Sequence, residues 1–442
     1  MKKEYDDLRG CIEAGENERA AEEMNRLLKT GQRIDDEFAV LAAVTVSRLG
    51  DEELAWVFIR EGLLCNGRNA MLYFLLGNYY EDKNVNQAWL CYENAEQYSD
   101  LGEELALIRE RKTVMEEQSG WSVNAISTVI VNRGAEEYGS DCNRGIKAAA
   151  ADNDIMLLSS DAAVPENAVF WLRMGLYEEE RIGAVRSVSD EGLPQMSAEE
   201  YEKTAAKRNV PEKAPYENVI GLSAPALLIK RRALDETGLF DMRFLSGQGA
   251  GADFGVRLNF GGWKTVLCHN SVVFCAASGN GPAGPAPGMS DGRTREIFRE
   301  KWGFDMEYYT HSRADIIGFI REEKSEPIRV LEIGCGCGAT LNRIRYLYPA
   351  AEVSGIELNE TVAALGAVCC EIRQGNIETI ELPYERETFD YIIMGDVVEH
   401  LPDPAGSDKK AGAVSERERA AFVQHPESVI QRSDRKPPVR NI

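Results

Sequence analysis

From residue 1 to about 118, apolar positions recur at three- and four-residue spacing without a single proline, which predicts helices throughout and no strand. Near residue 120 the period changes. Ile126-Ser127-Thr128-Val129-Ile130-Val131 is β-branched and reads as a strand, and Asp154-Ile155-Met156-Leu157-Leu158 reads as a second, buried strand ending in Ser159-Ser160-Asp161. Between them residues 143–150 read as a helix. Strands and helices then alternate to about residue 320, the pattern of an α/β layer fold. The run 278–288, rich in glycine and proline, reads as a loop. A charged stretch, 321–326, leads into Pro327, and the strand Ile328-Arg329-Val330-Leu331-Glu332 opens a third unit. Beyond Leu401 the chain is polar, with five prolines and no glycine turn and strand where a fifth strand of that unit is due.

The expected organisation is therefore multidomain: all-α repeats over 1–118, an α/β domain over 122–310, a second α/β domain over 311–404, and a polar, disordered tail over 405–442. A length of 442 residues suits about three domains. Lys plus Arg at 50 against Asp plus Glu at 73 gives a formal charge of −23, which repels a polyanion and excludes nucleic acid as the main partner. The longest apolar stretch, 219–229, is interrupted by Pro225 and is too short to cross a bilayer, so no transmembrane segment is expected. The first residues, Met1-Lys2-Lys3-Glu4, lack the apolar core of a signal peptide, which points to the cytoplasm. Ten cysteines without C-x-x-C spacing read as reduced, mostly buried thiols.

Within the helical part, Ala20, Met24 and Leu27 are echoed by Ala55, Ile59 and Gly62, then by Ala88, Tyr92 and Ala95. The anchor alanines lie 55 − 20 = 35 and 88 − 55 = 33 residues apart. This resembles the tetratricopeptide repeat family, with Tyr73, Leu76-Gly77, Tyr80, Ala88, Tyr92 and Ala95 as the best-matched unit. The resemblance implies stacked helix pairs that present a groove to a protein partner. An unrelated helical bundle is the alternative.

In the middle part, Asp161 closes a buried strand at the carboxyl edge of a sheet, where α/β folds place ligands, although an aspartate there also suits a helix cap. Cys142-Asn143-Arg144-Gly145-Ile146, the strand ending at Asp161, Gly238-Leu239-Phe240-Asp241 and Asp253-Phe254-Gly255-Val256-Arg257-Leu258 together look like family 2 glycosyltransferases of the GT-A fold. That resemblance implies a nucleotide-sugar donor, a glycan acceptor, a divalent metal (manganese or magnesium) on Asp161, and Asp253 as the catalytic base. The chain departs from the family where an acidic cluster is due: Gly251-Ala252-Asp253-Phe254-Gly255 retains one carboxylate of three. Cys275 stands where a metal-binding histidine is expected, and the strand near 128 runs almost directly into Arg133-Gly134, so the nucleoside-gripping region is shortened.

In the third part, Val330-Leu331-Glu332-Ile333-Gly334-Cys335-Gly336-Cys337-Gly338 places an acid at a strand end before three alternate glycines. Glycines let the backbone turn tightly and lie against a ligand. A second acid, Glu357, ends the next strand about 20 residues on and suits two ribose hydroxyls. With Gln374-Gly375-Asn376-Ile377 and the run from Phe389 to His400, the set is similar to class I S-adenosylmethionine-dependent methyltransferases, of Rossmann-like fold. The resemblance implies that Glu332, Gly334, Gly336 and Gly338 line the methionine part, that Glu357 takes the ribose, and that Asn376 and Ile377 flank the adenine. Asp396 through His400 then lie beside the reacting methyl group. A nicotinamide-dinucleotide fold is the competing reading, disfavoured by the acid before the glycines and by Ala339 in place of the last glycine.

Taken together, these features imply a bifunctional-type transferase of glycan or cell-surface polysaccharide biosynthesis, with catalytic residues Asp253, Asp396 and His400 and with loss of the glycosyl step left open. The alternative is a non-catalytic scaffold with degenerate transferase domains.

Overall fold

In a computed structural model of the chain, the described residues are 3–31, 33–100, 102–132, 137–189, 197–275, 292–385, 388–397, 400–402 and 422–423. The loop 278–288, Arg133-Gly134 and all of the tail 405–442 except Phe422 and Val423 fall outside them.

The N-terminal part is helical. α1 (Asp6–Glu13) pairs with α2 (Asn17–Lys29), α3 (Asp36–Arg48) with α4 (Glu52–Cys65), and α5 (Ala70–Tyr80) with α6 (Val85–Tyr98); α7 (Gly102–Glu116) follows. The second helices begin 52 − 17 = 35 and 85 − 52 = 33 residues apart, the interval of the anchor alanines. Side-chain caps start most of them: Asp35 accepts from the Phe38 N–H, Asp51 from Leu54, and Asn69 from Leu72. Such caps satisfy N–H groups that the first helical turn leaves without partners. Ala20, Ala55 and Ala88 are buried members of one apolar cluster.

A mixed seven-stranded sheet follows: β1 (Ile126–Val131), β2 (Asp154–Ser159), β3 (Ala162–Ala163), β4 (Ile182–Ser189), β5 (Tyr216–Asn218), β6 (Ala226–Ile229) and β7 (Lys264–Cys275). Its order is β1-β2-β6-β4-β7-β3, with β5 also on β7. The pairs β1–β2 and β4–β7 are parallel, and β6 runs antiparallel to both of its neighbours. The helices of this part are α8 (Tyr138–Ala148), α9 (Ala168–Leu176), α10 (Ala198–Arg208), α11 (Arg231–Thr237), α12 (Gly247–Phe260), α13 (Gly292–Trp302), α14 (Met306–Tyr309) and α15 (Ala314–Ile317). α8 begins five residues before the predicted 143. Asn143 sits inside it, buried, and exchanges hydrogen bonds of 2.9 Å in both directions with the Phe240 backbone.

The last unit is a five-stranded parallel sheet of β8 (Arg329–Ile333), β9 (Glu352–Glu357), β10 (Glu371–Gln374), β11 (Tyr391–Ile393) and β12 (Phe422–Val423), in the order β10-β9-β8-β11-β12. α16 (Ala339–Leu347) and α17 (Glu360–Gly366) connect its first strands. The fifth strand, β12, corrects the expectation that there is none. Phe422 and Val423 pair with Ile392 and Ile393, and two apolar residues in a polar stretch are too few to show a period.

The three parts share packed interfaces. Phe170 of α9 lies edge-on to Tyr73 of α5 at 5.3 Å, and Gln87 of α6 donates to the Met174 carbonyl. Cys337, Val362 and Leu365 of the last unit join one apolar cluster with Phe254 and Leu258 of α12. Among the described residues no helix is long and apolar enough to cross a membrane, and all ten cysteines are free thiols.

Candidate active site

β8 delivers Glu332 to the carboxyl edge of the parallel sheet, and the chain then turns through Gly334, Gly336 and Gly338, all at positive φ (71°, 55° and 76°). That left-handed backbone strongly favours glycine. The space above the turn is filled by the protein itself. A Cβ at Gly336 would lie 2.6 Å from the Tyr309 carbonyl oxygen, and one at Gly334 would lie 2.3 Å from Val397 Cγ2. What a side chain at Gly334 or Gly336 would meet is thus the protein's own Val397 or Tyr309, while both glycines still line the cleft. Gly338 is the residue before α16 and does not line the cleft.

Beside the turn lies a cleft of about 880 Å³ that gathers Glu332, Gly334, Gly336, Glu357, Asn376, Ile377, Asp396 and His400. Glu357, buried at the end of β9, accepts the Gly336 N–H at 2.9 Å on one carboxylate oxygen and the Asn359 N–H at 2.8 Å on the other. An ionised carboxylate offers about four acceptor positions, so roughly two remain for a vicinal diol.

Glu332 is 5% exposed, and its Oε2 has no hydrogen-bond partner among the described residues. Burial raises its pKa to about 8, against the opposing pull of the Thr340 hydroxyl and the Arg313 charge. A buried carboxyl oxygen without a partner costs free energy that a donor from a ligand would recover.

Asn376 accepts the Glu378 N–H through its side chain, and Ile377 is buried in the cleft wall. Asp396 follows β11 at φ +53°, one of two described non-glycine residues with positive φ, and its carboxylate is ion-paired to Arg313. Such backbone strain concentrates at functional sites. His400 stands exposed at the rim, its N–H bonded to the Val397 carbonyl.

Sequence reasoning missed the opposite wall. Tyr308, Tyr309, His311 and Arg313, from α14 and the strap after it, line the same cleft. The Tyr309 carbonyl accepts the Cys337 N–H at 2.9 Å, which ties the strap onto the glycine turn. The available signal was the cluster Tyr308-Tyr309-Thr310-His311-Ser312-Arg313, aromatic and cationic residues without period just before α15.

The middle sheet places Asp161 just past β2, accepting from the Ser159 hydroxyl. Among the described residues no group of three or more His, Cys, Asp or Glu comes together to hold a metal, and Asp161, expected to carry one, stands in no such group. Asp253 is likewise corrected as a catalytic base. Its side chain is fully buried in α12 and bonded to Arg257 at 2.9 Å, Lys301 at 2.5 Å and Trp302 Nε1 at 3.0 Å. A carboxylate held by two cations and an indole N–H inside the protein has no access to an acceptor hydroxyl.

A Rossmann-like parallel sheet with acids at the ends of its first two strands thus frames the cleft. Residues 331–414 match the family model described as a methyltransferase domain. Over 79 residues the chain is 38% identical to Methyltransferase str2 of Strobilurus tenacellus, an alignment covering 18% of this chain and 28% of that protein. The chain therefore spans little more than a quarter of the length of this curated relative. Among solved structures it is similar to a SAM-dependent methyltransferase from Aquifex aeolicus (16% identity, 33% of this chain, 78% of that chain, TM-score 0.23). It is also similar to one from Thermotoga maritima (19% identity, 29% of this chain, 55% of that chain, TM-score 0.21).

Proposed function

We propose that the C-terminal unit binds S-adenosylmethionine and transfers its methyl group to an acceptor in the cleft. When bound, the sulfonium supplies an electrophilic methyl carbon. In this reading Glu357 receives the ribose hydroxyls on its remaining lone pairs, Asn376 and Ile377 flank the adenine, and Glu332 receives the methionine ammonium. Asp396 and His400 stand where an acceptor proton would be taken up. The observation that carries the reading is the buried Glu332 oxygen without a partner, facing the same cleft as Glu357.

Titration calorimetry of the full chain with S-adenosylmethionine tests it. Saturable binding is expected, weakened at least about tenfold by Glu357→Ala, which removes charge-assisted hydrogen bonds. No detectable heat from the wild-type chain ends the reading.

For the middle part, the buried, ion-paired Asp253 favours the second reading, a non-catalytic platform that carries the methyl-transferring unit. The helical repeats then serve to recruit a protein partner, with a glycan or its carrier as the methyl acceptor and the cytoplasm as the setting. Incubation with a panel of nucleotide sugars and manganese should give no turnover. Turnover abolished by Asp161→Ala would restore the glycosyl-transferring reading.

A further inference from the structure

We propose that Arg313 is a positioning residue of the cleft, an arginine from outside the parallel sheet that holds Asp396 through its guanidinium and, anchored by its main chain on Thr340, keeps a positive charge in the cleft that Glu332 lines. Its guanidinium pairs with Asp396 through Nη1 and with Asp315 through Nε at 3.1 Å and Nη2 at 3.0 Å. Its own N–H donates to Thr340 Oγ1 at 3.2 Å. The side chain is only 13% exposed, so this geometry is held by packing as well as by charge. Gly395 lets the guanidinium come close: a Cβ there would lie 3.0 Å from Arg313 Nη1.

One residue therefore connects the two acids of the cleft, the strained Asp396 beyond β11 and the buried Glu332 at the end of β8. The Thr340 contact is made by the main-chain N–H and survives a substitution at 313, so what the side chain adds at both acids is its charge. Without it Asp396 loses the partner that holds its left-handed turn, and Glu332 loses a nearby cation that favours its ionised form. The other titratable groups facing Glu332 are Glu357, Cys335 and Cys370; burial pushes both thiols upward, so they remain neutral at pH 7.

The test has two arms, of which only the second rests on the methyl-donor reading. In carboxyl carbon-13 NMR of the unliganded full chain, with Glu332 assigned by Glu332→Gln, the Glu332 midpoint should move to higher pH in Arg313→Met. It should return toward the wild-type position in Arg313→Lys. In calorimetry with S-adenosylmethionine at pH 7, Arg313→Met should weaken binding about tenfold, the equivalent of one pH unit in the protonation of Glu332. The pH at which binding strengthens should move up with it.

A merely structural arginine lowers the melting temperature and leaves the midpoint unchanged, and that result overturns the proposal. If Arg313→Met does not fold, the neutral, polar Arg313→Gln decides: an upward movement of the midpoint supports the role, and none overturns it. A moved midpoint in a chain that gives no binding heat removes the methyl-donor reading and leaves the positioning role standing.

Discussion

Arg343 of α16 donates to Glu217 of β5 at 2.7 Å, joining the parallel unit to the middle sheet. His269 of β7 bonds the same carboxylate at 2.8 Å, and its ring stacks on Tyr346, one turn along α16, at 3.9 Å between centroids. Burial acts to raise the Glu217 pKa, but the His269 bond and the Arg343 charge outweigh it and hold the carboxyl below its ordinary value.

That direction predicts an acid-sensitive junction. A carboxyl depressed in the folded chain stabilises it fully above the ordinary value of 4.5, and the contribution is lost as pH falls through the lower, folded value. Arg343→Met should cost about 1–2 kcal/mol at pH 7, discounted because the arginine is one-third exposed. It should also weaken the acid dependence below pH 4.5. Urea unfolding at pH 7 and pH 3.5 measures both.

Asp253 offers a sharper contrast between chemistry and packing. Its carboxylate is 0% exposed and joins α12 to α13 through Lys301 and Trp302. Removing one partner of a buried ion pair strands the remaining charges, so Asp253→Ala should destabilise the fold by about 3–5 kcal/mol. A variant with unchanged melting temperature and a lost transferase activity would contradict the structural assignment.

Glu332 predicts the opposite pH trend to Glu217. Its folded pKa, near 8, lies above the ordinary 4.5, so its contribution to stability is full below 4.5 and is lost as pH rises through 8. Glu332→Gln keeps the shape, removes the titration, and should flatten the decline in stability between pH 5 and pH 8. Differential scanning calorimetry at several pH values reads it. An undiminished slope in the variant would place the titrating group elsewhere.

Local pattern made much of this legible. The β-branched run at 126–131, the acid-ended strands at 332 and 357 and the 35- and 33-residue helical spacing each depend on neighbours a few residues apart, where periodicity carries information. What stayed hidden depends on contacts across long separations. Trp302 reaches Asp253 across 49 residues, and Arg313 reaches Asp396 across 83. Neither partner stands in a periodic segment that marks its role. The glycines were legible as a turn, but only the fold shows that Tyr309 and Val397 occupy the space their missing side chains leave.

The Tyr309 strap supplies the last prediction. The glycine turn at 336 is constrained twice: φ is +55°, and the Tyr309 carbonyl lies 2.6 Å from where a Cβ would project. A valine there meets backbone, which cannot swing aside as a flexible side chain would, so the strap must lift and the 2.9 Å bond from the Cys337 N–H is lost. Strain of this kind costs about 1–3 kcal/mol. Gly336→Val should lower the melting temperature and expose the Tyr308–Tyr309 bond to chymotrypsin. Gly10→Ala in α1, where a Cβ meets nothing within 4 Å, is the control; it should stabilise by up to about 1 kcal/mol and leave the cleavage pattern unchanged. Equal protease resistance at 308–309 in Gly336→Val and wild type would mean that the strap is held independently of the turn, and that Gly336 matters only through its own backbone conformation.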